Sequence, residues 1–405
     1  RNVEVRNSEL EQTKRKSRLS EARSKLFPQL DGYSTFSYNY AIPKLIVPGE
    51  IFGQSGPIPV EIGTKFDWSS GFRASQILYN QSFFTTLKVL KSLENLSAIS
   101  TIRQKEEVFY QVSQVYFLCK YTEKQMEYLS GNLANLDRQA NITRSQSDNG
   151  IIRKVDHDRV MVSRANLQTQ IDNLQHLHKQ QLGILCYLVD LDLDDSIILT
   201  DSLAAGKLYI PDKLFDPANK TGIHILEAQI EIISLSKKSA LQEYLPSLTG
   251  FGQYYFQGQR DQFDFLKTGE DKFYKVGLIG LSLNIPIFNG FEKRSRAVHF
   301  ETELLQLRNT LDNTKKHLSK EYSDALSLYK NCINIISRQE ENIRTAREVY
   351  NINMLGYTRQ VVPLSDLILA EDNLTEARLS FLSALLQLKN AELDLRKAKG
   401  ELLEF

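Results

Sequence analysis

Few residues in this chain have the type and spacing that chemistry needs. His176 and His178 lie two apart, which on a helix sends their rings to different faces and disfavours a shared metal ion. Both read as solvated surface. Cys119, Cys186 and Cys332 are odd in number and far apart, which fits buried thiols in helices better than a disulfide framework or a metal site. Met126, Met161 and Met354 are too few to suggest a thioether path for copper or silver. No Gly-rich phosphate loop, nucleophile elbow or zinc-ligand spacing occurs, so no enzymatic activity and no cofactor is indicated. Lys plus Arg total 50 against 49 Asp plus Glu, a net charge of +1, which removes the usual reason to expect nucleic acid as a partner. The basic run Lys14-Arg15-Lys16 reads as a solvated helix face. Two carboxylates stand out, Asp156 and Asp366, because each follows a break between long helical runs. A cap or first-turn carboxylate there would stabilise a helix by about 0.5–2 kcal/mol.

The elements that would position them come in duplicate. Pro28-Gln29-Leu30-Asp31-Gly32 recurs as Pro246-Ser247-Leu248-Thr249-Gly250, Ile77-Leu78-Tyr79-Asn80 as Pro286-Ile287-Phe288-Asn289, and Lys154-Val155-Asp156 as Leu364-Ser365-Asp366. The period is about 210 residues, which makes residues 1–210 and 211–405 two copies of one unit. A short surplus in the first copy falls within Ala41 to Phe66. Asn2 aligns with Lys220, so residue 1 is expected to fall where the second copy is just entering its helix. No basic region followed by an apolar core is present, and no run reaches the ~20 apolar residues of a membrane-spanning helix.

Proline punctuates the chain sharply. Pro28, Pro43, Pro48, Pro57 and Pro59 come early, none follows until Pro211, and after Pro286 only Pro363 remains. The intervening runs favour long helices, each arm on the order of 100 Å at 1.5 Å per residue. In the last arm Leu367, Ala370, Leu374, Ala377, Phe381, Ala384, Leu388, Ala391, Leu395, Ala398 and Leu402 alternate spacings of three and four, a coiled-coil seam. The arm before it carries a looser seam through Leu304, Leu311, Tyr322, Ala325, Tyr329, Ile336 and Tyr350. A turn between about Leu355 and Asp366 predicts an antiparallel helical hairpin, with a counterpart around Ser147 to Asp156.

Between the helices lie segments of period two. Leu30, Gly32, Ser34, Phe36 and Tyr38 share one face, and Leu281, Leu283, Ile285 and Ile287 share another. Four such strands of about ten residues match the length of transmembrane β-barrel strands, although two hairpins in a soluble sheet fit the periodicity equally well. In lipid, four strands cannot close a barrel, so several chains would have to share one.

The ordered set of these features resembles the TolC family of outer-membrane factors, the exit ducts of tripartite efflux and type I secretion systems. The resemblance covers nearly the whole chain. Phe27-Pro28-Gln29-Leu30 and Leu245-Pro246-Ser247-Leu248 match the family's helix end before a strand, and Ile285-Pro286-Ile287-Phe288-Asn289-Gly290 its strand end. Gly150-Ile151-Ile152 followed by Asp156 matches the hairpin tip; at the second tip Gln360 stands in the glycine position and Gly356 comes four residues earlier. The resemblance implies a mixed α and β fold: long antiparallel helical hairpins forming a periplasmic α-barrel, and four strands per chain contributing to a twelve-stranded barrel of a homotrimer in outer-membrane lipid of a Gram-negative bacterium. It implies a passive conduit, partnered by a periplasmic adaptor protein and an inner-membrane transporter. Gly150, Ile151, Ile152, Gln360, Val361 and Val362 are the implied adaptor contacts, Asp366 the implied pore constriction, and Asp156 the cap of its tip helix. The family's second acidic constriction position is Leu369 here, so one acidic ring is expected.

The competing class is a soluble or periplasmic coiled-coil adaptor or scaffold. Adaptors, however, have one helical hairpin flanked by β-rich domains, whereas this chain has two hairpins and strands of membrane length. The proline-rich Ala41 to Phe66 segment is expected to be an extracellular loop in which proline and glycine keep the sheet from extending.

Overall fold

The computed structural model describes residues 2–53, 55–192, 197–200, 208–211, 215–265 and 273–404. The order of elements is α1 (Val3–Ser24), β1 (Gln29–Tyr38), β2 (Lys44–Pro48), β3 (Pro57–Glu61), β4 (Phe66–Tyr79), α2 (Gln81–Asp148) and α3 (Lys154–Val189). It continues with α4 (Thr221–Gln242), β5 (Ser247–Arg260), β6 (Tyr274–Asn284), α5 (Glu292–Thr358) and α6 (Leu364–Lys399). Helix, strand, strand, helix, helix thus runs twice, with β2 and β3 added in the first pass. The helices match in length: 22 residues for α1 and α4, 68 and 67 for α2 and α5, and 36 for both α3 and α6. Two compact units cut across this order. One comprises residues 1–12, 96–227 and 308–405, the other 13–95 and 228–307.

The first unit is helical, and its core follows the seam of α6. Leu367, Ala370, Leu374, Ala377, Ala384, Leu388, Ala391, Leu395, Ala398 and Leu402 are all buried. Phe381 is half-buried at the edge of the same cluster, and Ala325, Tyr329, Cys332 and Ile336 supply the facing layer from α5. Alternating Leu and Ala keep the helices close while each buried Leu removes enough surface from water to contribute about 1.5–3 kcal/mol. A second cluster joins Leu129, Leu136 and Ala140 of α2 to Val160, Leu167 and Ile171 of α3, with Leu364 and Ile368 of α6 against it. Cys119, Cys186 and Cys332 are free and buried in these helices. Helices α3 and α6 end alike, on a left-handed residue whose successor donates back five residues: Asp190 at φ 61° and Gly400 at φ 89°.

The second unit holds an antiparallel sheet in the order β1-β4-β5-β6. Residues of one face line up across the strands: Tyr38–Phe66–Arg260, Phe36–Trp68–Gly258, Ser34–Ser70–Phe256–Lys275, Gly32–Phe72–Tyr254–Gly277 and Leu30–Ala74–Gly252–Ile279. The other face carries Asp31, Arg73 and Gln253 in one row and Tyr33, Gly71 and Tyr255 in the next. Gly71 is required there, since a Cβ would stand 2.3 Å from that of Tyr255. Among the described residues nothing pairs with the outer edges of β1 and β6. The register slips between Ile77 and Tyr79, and β6 stops at Asn284, so Ile285 and Ile287 lie beyond the ladder rather than in it as the alternation led us to expect. An X-Pro step explains the stop, because Pro286 cannot donate to a ladder.

The Ala41 to Phe66 segment is also more ordered than its prolines suggest. Strands β2 and β3 form a separate two-stranded ribbon with Pro48 opposite Pro57, closed at its base by a Lys44–Glu61 ion pair of 3.2 Å. Prolines are tolerated because a two-stranded ribbon leaves half its N–H positions facing away from the partner.

Candidate functional site

Both hairpin tips are built from the same backbone motif. At the end of α2, Gly150 turns to φ 68°, its N–H donates to Ser147 O at 3.0 Å, and the Ile151 N–H donates to Gln146 O at 2.8 Å. At the end of α5, Gln360 turns to φ 62°, its N–H donates to Tyr357 O at 2.9 Å, and the Val361 N–H donates to Gly356 O at 2.9 Å. These are two Schellman motifs, which satisfy the last carbonyls of each helix. Gln360 therefore takes the left-handed conformation that glycine takes in the first tip, at a cost of about 1–2 kcal/mol relative to an unstrained residue. Gly356 has a different task. A Cβ there would come 2.5 Å from Val362 Cγ2, so its absence lets the returning chain lie against α5.

The apolar tip residues divide by role. Ile151 and Val361 stand out, 61% and 78% exposed. Ile152 and Val362 are half-buried and, with Ile151, line a cavity of about 480 Å³ together with Gln146, Asp156, Tyr357 and Gln360. Gly150, Val361 and Asp366 lie outside that lining. The Tyr357 hydroxyl donates to Gln146 Oε1 at 3.2 Å and so ties the two tips to each other. Burial first, and the nearby Asp156 second, hold the Tyr357 hydroxyl above the usual tyrosine range. Neither Tyr357 nor Gln146 carries a signal in the sequence that marks it.

Asp156 is not the cap of its helix, as expected from sequence; Arg153 occupies the N-cap position without a side-chain cap bond, and Asp156 lies in the first turn. Its carboxylate accepts from Arg153 Nε at 3.2 Å and from Arg153 Nη2 at 3.3 Å. Asp366 is in the equivalent turn of α6 after Pro363, exposed, and its Oδ1 accepts from the Ser365 hydroxyl at 3.1 Å. Paired guanidinium and burial thus separate the two aspartates: one is engaged within its chain, the other faces solvent.

Above the tips a polar layer joins α2 to α6. Glu371, only 4% exposed, accepts from Asn135 Nδ2 at 3.0 Å and Gln139 Nε2 at 2.8 Å, and Asn132 Nδ2 donates to Thr375 Oγ1 at 3.0 Å. Burial pushes the Glu371 carboxyl above the usual range, against the two amide bonds that lower it. The partners are more than 230 residues apart in sequence, so no local pattern announces them.

Two hairpins of matched helices, their tips tied to each other, and a four-stranded antiparallel sheet define the fold. Residues 227–401 match the family of outer membrane efflux proteins. The outer membrane protein TolC of Vibrio cholerae is 21% identical, with 80% of this chain and 76% of that protein aligned, and TolC of Escherichia coli is 19% identical over 96% of this chain and 79% of that protein. The crystal structure of the Campylobacter jejuni CmeC outer membrane channel superposes with a TM-score of 0.77 at 17% identity, covering 99% of this chain and 84% of that one, which shows the same fold. The outer membrane efflux protein match thus covers residues 227–401, and over nearly the whole chain the fold is that of an outer membrane channel.

Proposed function

We propose that three copies of this chain close a twelve-stranded barrel in the outer membrane and continue as a tunnel of helical hairpins into the periplasm. This trimer is the passive exit duct of a tripartite efflux or type I secretion system. The observation that carries the reading is the sheet: Ile279, Leu30 and Leu281 are 94%, 71% and 68% exposed on one face while both sheet edges lack partners among the described residues. Such a face needs lipid, and lipid does not admit an open edge, so edge β6 of one copy must meet edge β1 of the next. Residues 1–210 and 211–405 are then two repeats that supply equivalent staves, as the matched helix lengths favour.

In this reading the β2–β3 ribbon is extracellular and the tips point to the periplasm. Gly150, Ile151, Ile152, Gln360, Val361 and Val362 form the contact for a periplasmic adaptor, which joins the duct to an inner-membrane transporter. Exposed Ile151 and Val361 favour this, since solvent-facing apolar side chains at a rigid turn are suited to a partner. Asp366 supplies a ring of three carboxylates at the narrow end, which attracts cations. The test is the mass of the detergent-solubilised particle. Three chains of 46.4 kDa are expected, and a stable monomer or another oligomer overturns the reading.

A further inference from the structure

The apolar face of the sheet carries only two formally charged side chains along its four strands, Arg260 and Lys275, and both lie at the end remote from the helices. The cross-strand rows locate them. Arg260 is level with Tyr38 and Phe66, and Lys275 with Ser34, Ser70 and Phe256, about 14 Å further along at 3.4 Å per residue. Arg260 Nε is buried and has no hydrogen-bond partner among the described residues, and Lys275 is exposed.

Around them aromatic rings interlock. Phe36 meets Phe263 at 5.6 Å, Trp68 meets Phe265 at 5.6 Å and Phe273 at 5.8 Å, and Tyr38 meets Phe66 at 5.0 Å. The Trp68 Nε1–H donates to the Ser34 and Ser70 hydroxyls, each at 3.1 Å, which fixes the indole within the cluster. An aromatic band above an aliphatic face, here phenylalanines around the amphipathic Trp68 and Tyr38, marks the level where hydrocarbon gives way to headgroups. Cations at that level face phosphate, and a guanidinium and an ammonium with no acid on the same face of the described strands are matched to it.

We propose that Arg260 and Lys275, set in the Trp68 ring cluster, hold a phosphate-bearing glycolipid of the outer leaflet against each chain. The site rests on the reading of this face as lipid-facing. Sugar rings of the headgroup lie on the aromatic band, the acyl chains run down over Phe72, Tyr254 and Ile279, and the phosphates meet the two cations.

Trp68 is the single tryptophan of the chain and reports on the site directly. The full chain in dodecylmaltoside is titrated with diphosphoryl lipid A, with phosphatidylcholine, and with sodium phosphate, while Trp68 emission is followed. A saturable change with lipid A alone is expected, and Arg260→Gln and Lys275→Gln should each weaken it about tenfold, the scale of one charge-assisted hydrogen bond. An equal response to phosphatidylcholine, unaltered binding by both variants, or displacement by millimolar sodium phosphate overturns the proposal. In a parallel measurement, brominated phosphatidylcholine around the reconstituted protein and both variants should quench Trp68. Absence of quenching sinks the lipid-facing reading itself; quenching without charge dependence sinks the glycolipid site alone.

Discussion

Substituting Gly356 by Ala sets two effects of known sign against each other. Within a helix the change should gain about 1 kcal/mol, because glycine has the more to lose on ordering. At this position, however, the new methyl would stand 2.5 Å from Val362 Cγ2 and 3.2 Å from Val362 Cβ. Relief requires moving Val362, whose backbone N–H donates to Gly356 O at 3.3 Å, and overpacking of this kind costs about 1–3 kcal/mol. The second effect should win, leaving a net loss of up to about 2 kcal/mol confined to the second tip. Adding Val362→Ala removes the obstructing Cγ2 and should return the helix gain, so the double mutant should be more stable than the sum of the single changes by over 1 kcal/mol. Hydrogen exchange at the Val361 and Val362 amides reads the tip locally. If Gly356→Ala slows exchange there, or if the two changes simply add, close approach is not the reason for the glycine.

Other outcomes follow from the same geometry. Gln360→Gly should slow exchange at the Val361 amide by relieving a left-handed glutamine worth about 1 kcal/mol, whereas faster exchange would mean that the side chain matters more than the backbone. Burial raises the Glu371 pKa in the folded chain, so its contribution to stability is greatest below the unfolded carboxylate range and is lost as pH rises through the folded value. Glu371→Gln should therefore flatten the fall in melting temperature as pH rises above the ordinary carboxylate range, and an unchanged slope would assign that fall elsewhere. In planar bilayers Asp366→Asn should reduce block by divalent and trivalent cations with assembly intact, while Asp156→Asn should matter less; the reverse pattern would move the pore ring to the first hairpin.

The seam of α6 could be read from sequence because a spacing of three and four is a property of one helix, and ten of the eleven positions through Leu402 are buried as expected. The first tip was legible for a similar reason, since Gly150 advertises a left-handed turn. Gln360 hides the same turn, because a Schellman motif is fixed by hydrogen bonds to Gly356 and Tyr357 rather than by the residue at its centre. Gly356 in turn looks like a misplaced tip glycine until Val362 is seen against it. The ribbon was missed because proline opposes strands in wide sheets but not in a pair. Contacts such as Tyr357 with Gln146, or Glu371 with Gln139, join distant segments through side chains that are ordinary in their local context.

If three copies share one barrel as proposed, the edges of β1 and β6, unpaired among the described residues, make folding of this chain a concentration-dependent event. A lone copy has no low-energy state for its sheet in lipid, and in water the same two edges and apolar face invite irregular association. Stability of the strands is then inseparable from encounter with other copies and follows mass action rather than the contacts of any single chain. A substitution at either edge would accordingly present as a defect of yield and membrane insertion, with its severity set by how much protein the cell makes.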